Sequence, residues 1–322
     1  MESSEGNPSI VPKQFTGLSR FHRGQVQFHH LLGLLHSYDS VLQTLVGKNN
    51  IDAIKSHMNS FSCEKCISSI IKPNPNGRTT LHYVQNLRVM KYLLSYIPLN
   101  VYYNVMCLAD VDGNTILHQY ATIEYQDILQ TCLDKLIECD CIASDLLLMT
   151  NRNGDTVLHL LASNHMTDPF SVCLAILPDP DERLNALKKT NNQGDSVFHI
   201  ITDSDDSRTF NAVLKVTRLH TVFEYLSQST RPGFSAYGGV PFLNILIRPQ
   251  KRELLSVLLE IAFWHKTGII SYLYGIVYHS VPSYHVVRSA AATVRILTIT
   301  FRKDVNLFLL CHPACREQVL SF

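Results

Sequence analysis

Asn153-Gly154-Asp155-Thr156-Val157-Leu158-His159 decides the reading of this chain, because the same pattern returns at three other places. The other copies are Asn76-Gly77-Arg78-Thr79-Thr80-Leu81-His82, Asp112-Gly113-Asn114-Thr115-Ile116-Leu117-His118 and Gln193-Gly194-Asp195-Ser196-Val197-Phe198-His199. Each presents a polar residue, Gly, a variable residue, Thr or Ser, a spacer, an apolar residue and His. One such match arises by chance; four in order point to duplication of a structural unit. The glycines lie 36, 41 and 40 residues apart.

Each position has a mechanical reading. A polar residue followed by Gly favours a tight turn, and Gly supplies φ > 0 without a Cβ clash. The Thr or Ser hydroxyl is placed to cap a following helix, whose apolar residue then faces a core. A second apolar block follows each His: Val89–Leu94, Ile128–Leu133, Val172–Leu177 and Phe210–Leu214. The block after His82 begins only seven residues on, so the first helix there is predicted to be about one turn short.

These residues at these spacings resemble the ankyrin repeat, whose signature reads G-x-T-P-L-H at the end of a β-turn finger. The resemblance implies an all-α solenoid of stacked helix pairs with β-turn fingers and helical flanking segments. Gly77, His82, Gly113, His118, Gly154, His159, Gly194 and His199 become structural repeat positions, each His bonding loop backbone to hold neighbouring fingers. Gly238-Gly239-Val240-Pro241-Phe242-Leu243, with Leu254–Leu259 behind it, reads as a fifth copy. Gly24-Gln25-Val26-Gln27-Phe28-His29 keeps only the Gly, apolar and His positions of the frame.

The expected organisation is a disordered tail over 1–19 and a degenerate helical or capping repeat over 20–74. Repeats over 75–267 start near 75, 111, 152, 192 and 237, and a helical C-terminal capping segment covers 268–322. Leu177-Pro178-Asp179-Pro180-Asp181-Glu182-Arg183 is expected to be an inter-repeat loop, because its two prolines oppose a helix.

Composition narrows the class. The 322 residues carry 28 Lys plus Arg against 27 Asp plus Glu, and 46 % are hydrophobic, which opposes general disorder and the basic footprint of a nucleic-acid binder. The first 15 residues lack the apolar core of a signal peptide, and no window supplies about 18 clean apolar residues for a membrane span. Nine cysteines, an odd count at irregular spacing, suggest reduced thiols, so the expected location is intracellular: cytoplasmic, or nuclear.

The search for chemistry favours a protein that is not an enzyme. Fifteen histidines invite a metal or acid–base site, but four of them share one repeat position, which keeps them apart. Cys63-Glu64-Lys65-Cys66 and Cys311-His312-Pro313-Ala314-Cys315 are each incomplete as tetrahedral zinc sites. No phosphate loop, dinucleotide fingerprint, zinc-protease helix or nucleophile elbow is present. The expectation is therefore no catalytic residue, no cofactor, no metal and no nucleic acid. A protein partner is expected on the finger face at Asn114, Asp155 and Asp195. Residues 178–206 hold seven acids against three bases, so that partner should carry a basic patch. Two narrower alternatives are an NF-κB-inhibitor-like regulator of a Rel-type transcription factor, from the G-D-[ST] fingers at Asp155 and Asp195, and a ubiquitin-ligase substrate receptor, from Leu309-Leu310-Cys311.

Overall fold

A computed structural model describes residues 20–34, 37–139 and 144–218, together with positions 221, 222, 225, 254 and 257. The tail over 1–19, the fifth finger at Gly238, the Cys311–Cys315 cluster and the segment 268–322 lie outside the described residues. The chain divides into two compact units, 1–160 and 161–322.

Among the described residues, unit one contains α1 (Arg20–Gly33), α2 (Ser40–Gly47), α3 (Ile51–Met58), α4 (Cys63–Ile71), α5 (Leu87–Leu94), α6 (Leu99–Met106), α7 (Ile116–Gln119), α8 (Gln126–Glu138) and α9 (Ser144–Leu148). Single 3-10 turns at Thr80–Tyr83 and Ile123–Tyr125 complete it. α10 (Val157–Ser163) crosses the boundary at residue 160, and unit two continues with α11 (Thr167–Ile176), α12 (Pro180–Lys188), α13 (Val197–Asp203) and α14 (Ser207–Val216). Among the described residues there is no sheet: strand-like pairing is limited to single bridges, Ala109 with Thr115 and Thr190 with Ser196, each closing a finger. No helix among the described residues is long and apolar enough to cross a membrane.

Helix after helix follows from apolar periodicity. In α8, Ile128, Leu129, Cys132, Leu133 and Leu136 are buried along one stripe, the spacing of an amphipathic helix. Leu81, Leu117, Leu158 and Phe198, the apolar residue of each frame, are all 0 % exposed. Burying one such side chain contributes roughly 1.5–3 kcal/mol. As the short spacing after His82 predicts, the first helix there shrinks to the 3-10 turn Thr80–Tyr83.

Three features differ from the sequence reading. First, each finger is entered from an additional short helix: α4, α6, α9 and α12 follow the outer helix of their repeat. They absorb the residues by which the period exceeds the family's usual ~33. Second, the segment expected to be a loop because of Pro178 and Pro180 turns into α12, with Pro180 in its first turn. Pro suits that place because its missing N–H would have no helical partner there and its φ is already helical. Third, Gly24 lies inside α1 and makes no finger turn.

The earliest frame sits instead at α2 and α3. Asn49 joins them at φ 57°, as His165 (φ 55°) joins α10 to α11 and Asp205 (φ 56°) joins α13 to α14. Each of these left-handed residues comes six positions after Gln43, His159 and His199, so Gln43 occupies the histidine position. α1 lies against α4 and α6 with Phe28 and Leu31 buried. Lys72 Nζ donates to Leu32 O at 2.7 Å, and Asn100 Nδ2 donates to Gln27 Oε1 at 2.6 Å.

Candidate functional site

Four fingers, over 74–79, 110–115, 151–156 and 191–196, share one construction. Gly77, Gly113, Gly154 and Gly194 hold φ between 74° and 81°. Non-glycine residues rarely take such values. At Gly77 a Cβ would also meet Ala109 O and Asp110 Cα at 2.9 Å, because the next finger passes against it. Three residues before each glycine stands Asn74, Asp110, Asn151 or Asn191. Its side-chain Oδ1 accepts the N–H of the residue two positions on and of the residue four positions on, at 2.9–3.1 Å. Its backbone N–H donates to the carbonyl four residues on, and its carbonyl accepts the glycine N–H. The turn is closed from both sides, so every backbone N–H of the three fingers in unit one has an acceptor within the protein.

In unit one the fingers are joined as a row. Val111 N–H donates to Asn76 O at 3.0 Å and Arg152 N–H to Asp112 O at 2.6 Å. Arg78 Nε donates to Asp110 Oδ2 at 3.1 Å, and Asn151 Nδ2 to Asn114 Oδ1 at 3.2 Å.

The histidines fasten this row from beneath. His82 Nδ1 accepts the Thr79 N–H at 3.1 Å, which leaves Nε2–H to donate to Asn114 O at 3.3 Å. His118 repeats the arrangement with Thr115 at 3.3 Å and Asp155 O at 3.1 Å. His159 and His199 likewise accept the N–H of Thr156 and Ser196. Burial first of all pushes the His82 ring down from 6.5 to about 4, and it lowers His118 in the same direction. Both rings are therefore neutral at neutral pH, as the accepting Nδ1 requires. Gln43 does the same work without an ionisable group: its Nε2 donates to Arg78 O at 3.2 Å, the carbonyl after the first finger glycine.

A structure of the ankyrin repeat domain of Bcl-3, described as a unique member of the IkappaB protein family, superposes with a TM-score of 0.50 at 16 % identity, covering 70 % of this chain and 87 % of that one. The chain has the ankyrin-repeat fold. An ankyrin repeat domain from Acinetobacter baumannii AYE gives a TM-score of 0.45 at 16 % identity, over 69 % of this chain and 97 % of that one. No family model matches the sequence, and no curated protein matches it.

Within this ankyrin frame the variable residue after each glycine is not the tip. The positive-φ glycine reverses the chain, so the next residue already runs back into the body. Asn114 and Asp155 are half-buried, and Asp195 is only 6 % exposed, against the expectation of an open tip. The exposed tips lie one or two residues before the glycine: Asn76, Val111 (69 % exposed), Arg152 and Asn153 in unit one, with Asp112 half-exposed beside them, and Asn192 and Gln193 in unit two. The signal that could have located them is the Asn or Asp three positions before every glycine, which marks where the turn opens.

The cysteines of the C-x-x-C pair behave differently from one another. Cys63 is exposed at the start of α4, whereas Cys66 is buried, donates to Met58 O at 3.1 Å and has its thiol pushed upward by burial. Cys132 and Cys173 are fully buried thiols raised to about 12 by the same cause. Such thiols pack as small apolar groups. Among the described residues no three His, Cys, Asp or Glu side chains converge as metal ligands would.

Proposed function

We infer that this chain is a protein-interaction module rather than an enzyme, and that it binds a partner protein across the finger row of unit one. The observation that carries this reading is the contrast inside each finger. Backbone N–H donors are consumed within the row, while the side chains of Asn76, Val111 and Arg152, and half of Asp112, stand outward on it. A surface ordered before binding loses little conformational entropy on association. Asn114 and Asp155, half-buried beside these tips, form the inner edge of the proposed surface; Asp195 belongs to the frame of its own finger.

The tip chemistry is mixed, with an apolar Val111 between acidic Asp112 and basic Arg152. Arg152 and Asp112 lie 3.5 Å apart with side chains 81 % and 50 % exposed, so their pairing is worth at most about 1 kcal/mol and yields easily to a partner. The complementary surface is an apolar spot flanked by both charges, which replaces the wholly basic patch expected from composition. Asp155 and Asp195 donate their N–H groups to Asn151 and Asn191 inside their own turns. Arg78 and Asn114 donate in the same way, so this bond shapes the turn whatever the side chain and carries no mark of a Rel-type partner. No disulfide joins the described cysteines, which suits the proposed intracellular location.

The test compares protein captured by the full chain with protein captured by V111A/D112R/R152E, after matching the two by circular dichroism. Partners should drop away with the triple change. An identical captured set from an equally folded variant would move the binding surface elsewhere.

A further inference from the structure

The outer helices of unit one carry a charge pattern that the finger row does not use. From Lys65 to Ala109 the sequence contains no acid and five bases: Lys65, Lys72, Arg78, Arg88 and Lys91. From Asp110 to Cys139 it contains six acids, Asp110, Asp112, Glu124, Asp127, Asp134 and Glu138, and one base, Lys135. Folding converts this linear asymmetry into two stripes. On α5, Arg88 and Lys91 are exposed, one helical turn apart, on the face opposite Val89, Met90 and Leu93. Lys55 of α3 joins them, its ammonium 5.9 Å from the Tyr92 ring. On α8, Asp127, Asp134 and Glu138 are exposed along the solvent stripe opposite the buried Ile128, Cys132 and Leu136.

α5 and α8 pack side by side, so the positive and negative stripes are neighbours. Yet no ion pair joins α5 to α8 among the described residues. The one base of α8, Lys135, is turned away: its Nζ donates to Leu94 O and Ile97 O, capping α5 and its following turn. Asp134 accepts a hydrogen bond from Gln130 Nε2 at 2.8 Å on its own helix, and no opposite charge neutralises the exposed charges of either stripe. Apolar area accompanies each stripe. Ile137, 54 % exposed, lies beside Glu138, and Tyr92 and Tyr96 sit edge to face at 5.4 Å beside Lys91.

We propose that the outer face formed by α3, α5 and α8 is a self-association surface, on which the basic α5 stripe of one copy meets the acidic α8 stripe of a second. Adjacent stripes of opposite sign are self-complementary under a two-fold axis. The axis runs between α5 and α8 and sets each positive stripe of one protomer against the negative stripe of its partner, twice over. A lone basic or acidic protein would satisfy only one stripe and bring like charge against the other. The second copy satisfies both. Because the pairs are exposed, the association is weak, fast and dependent on salt.

Sedimentation equilibrium of the full chain tests this. At about 0.05 M salt the protein should populate a dimer, and raising salt to about 0.5 M should weaken it by about tenfold or more, as screened surface pairs do. K55E/R88E/K91E makes both stripes acidic, and D127K/D134K/E138K makes both basic. Each variant alone should be monomeric, while an equimolar mixture of the two should form a heterodimer. A monomeric wild type at low salt, dimerisation of either variant alone at wild-type strength, or failure of two folded variants to associate in the mixture would overturn the proposal. Should either triple variant fail to fold, wild-type chains decide: in a mixture of isotope-labelled and unlabelled protein at low salt, carbodiimide should cross-link Lys91 to Asp134 between differently labelled copies. Cross-links confined to single chains would refute it.

Discussion

His82 makes acid stability a sharp test of how the fingers are fastened. The ring is 3 % exposed, its Nδ1 accepts the Thr79 N–H and its Nε2 faces Asn114 O. A proton on Nδ1 would remove that acceptor and bury a charge, which is why the folded ring sits near 4 while the unfolded one stays near 6.5. Above 6.5 both states are neutral and pH has no effect through this residue. As pH falls from 6.5 toward 4 the unfolded chain takes up the proton and the folded one does not, so stability is lost across that window. At 1.36 kcal/mol per pKa unit, the loss is about 2 kcal/mol near pH 5 and approaches about 3 kcal/mol below pH 4. His118, lowered in the same direction, adds to it. Gln43 supplies the control, since it reaches the equivalent carbonyl with a group that does not titrate. His82→Gln should cost about 1 kcal/mol near pH 7.5, for the lost Thr79 contact. It should then lose about 2 kcal/mol less than wild type on moving to about pH 5. Urea unfolding followed by far-ultraviolet circular dichroism at both pH values measures the difference. Parallel losses in the two proteins would mean that burial does not hold His82 neutral.

Asp195→Lys should destabilise by about 2 kcal/mol or more, because a residue 6 % exposed within a closed turn must bury or expel a new charge. Asp112→Lys, at a side chain 50 % exposed, should stay within about 1 kcal/mol; equal thermal midpoints for the two variants would contradict the assigned tip. Gly113→Ala should cost about 1–2 kcal/mol for its left-handed backbone, and more from the Cβ that would meet Asn151 Cα and Thr150 O at 3.0 Å. A denaturant midpoint unchanged from wild type would remove the close approach of the second and third fingers.

What the sequence alone determined is the local machinery. A glycine that must take positive φ, a hydroxyl residue at the head of the first helix and an apolar residue that must face inward all act within seven residues, so their order is readable wherever it recurs. The four turns, the first helices behind them and the short turn at His82 are of this kind. Tertiary structure decided whatever depends on a partner far along the chain. Gln43 takes the histidine position because of a carbonyl on Arg78, 35 residues away, and no local pattern announces that. Gly24 had the right neighbours in sequence but not the packing, and it became part of a helix. Pro180 had the composition of a loop, yet it begins α12, since proline is excluded only beyond the first turn. Asp195 and Asp112 are chemically alike; only the reversal of the chain at the glycine makes one frame and the other tip. The charge asymmetry between residues 65–109 and 110–139 was present in the sequence as a list. It became a surface when α5 and α8 packed side by side and turned their charged stripes outward, because the apolar stripes of both helices had to face the same core.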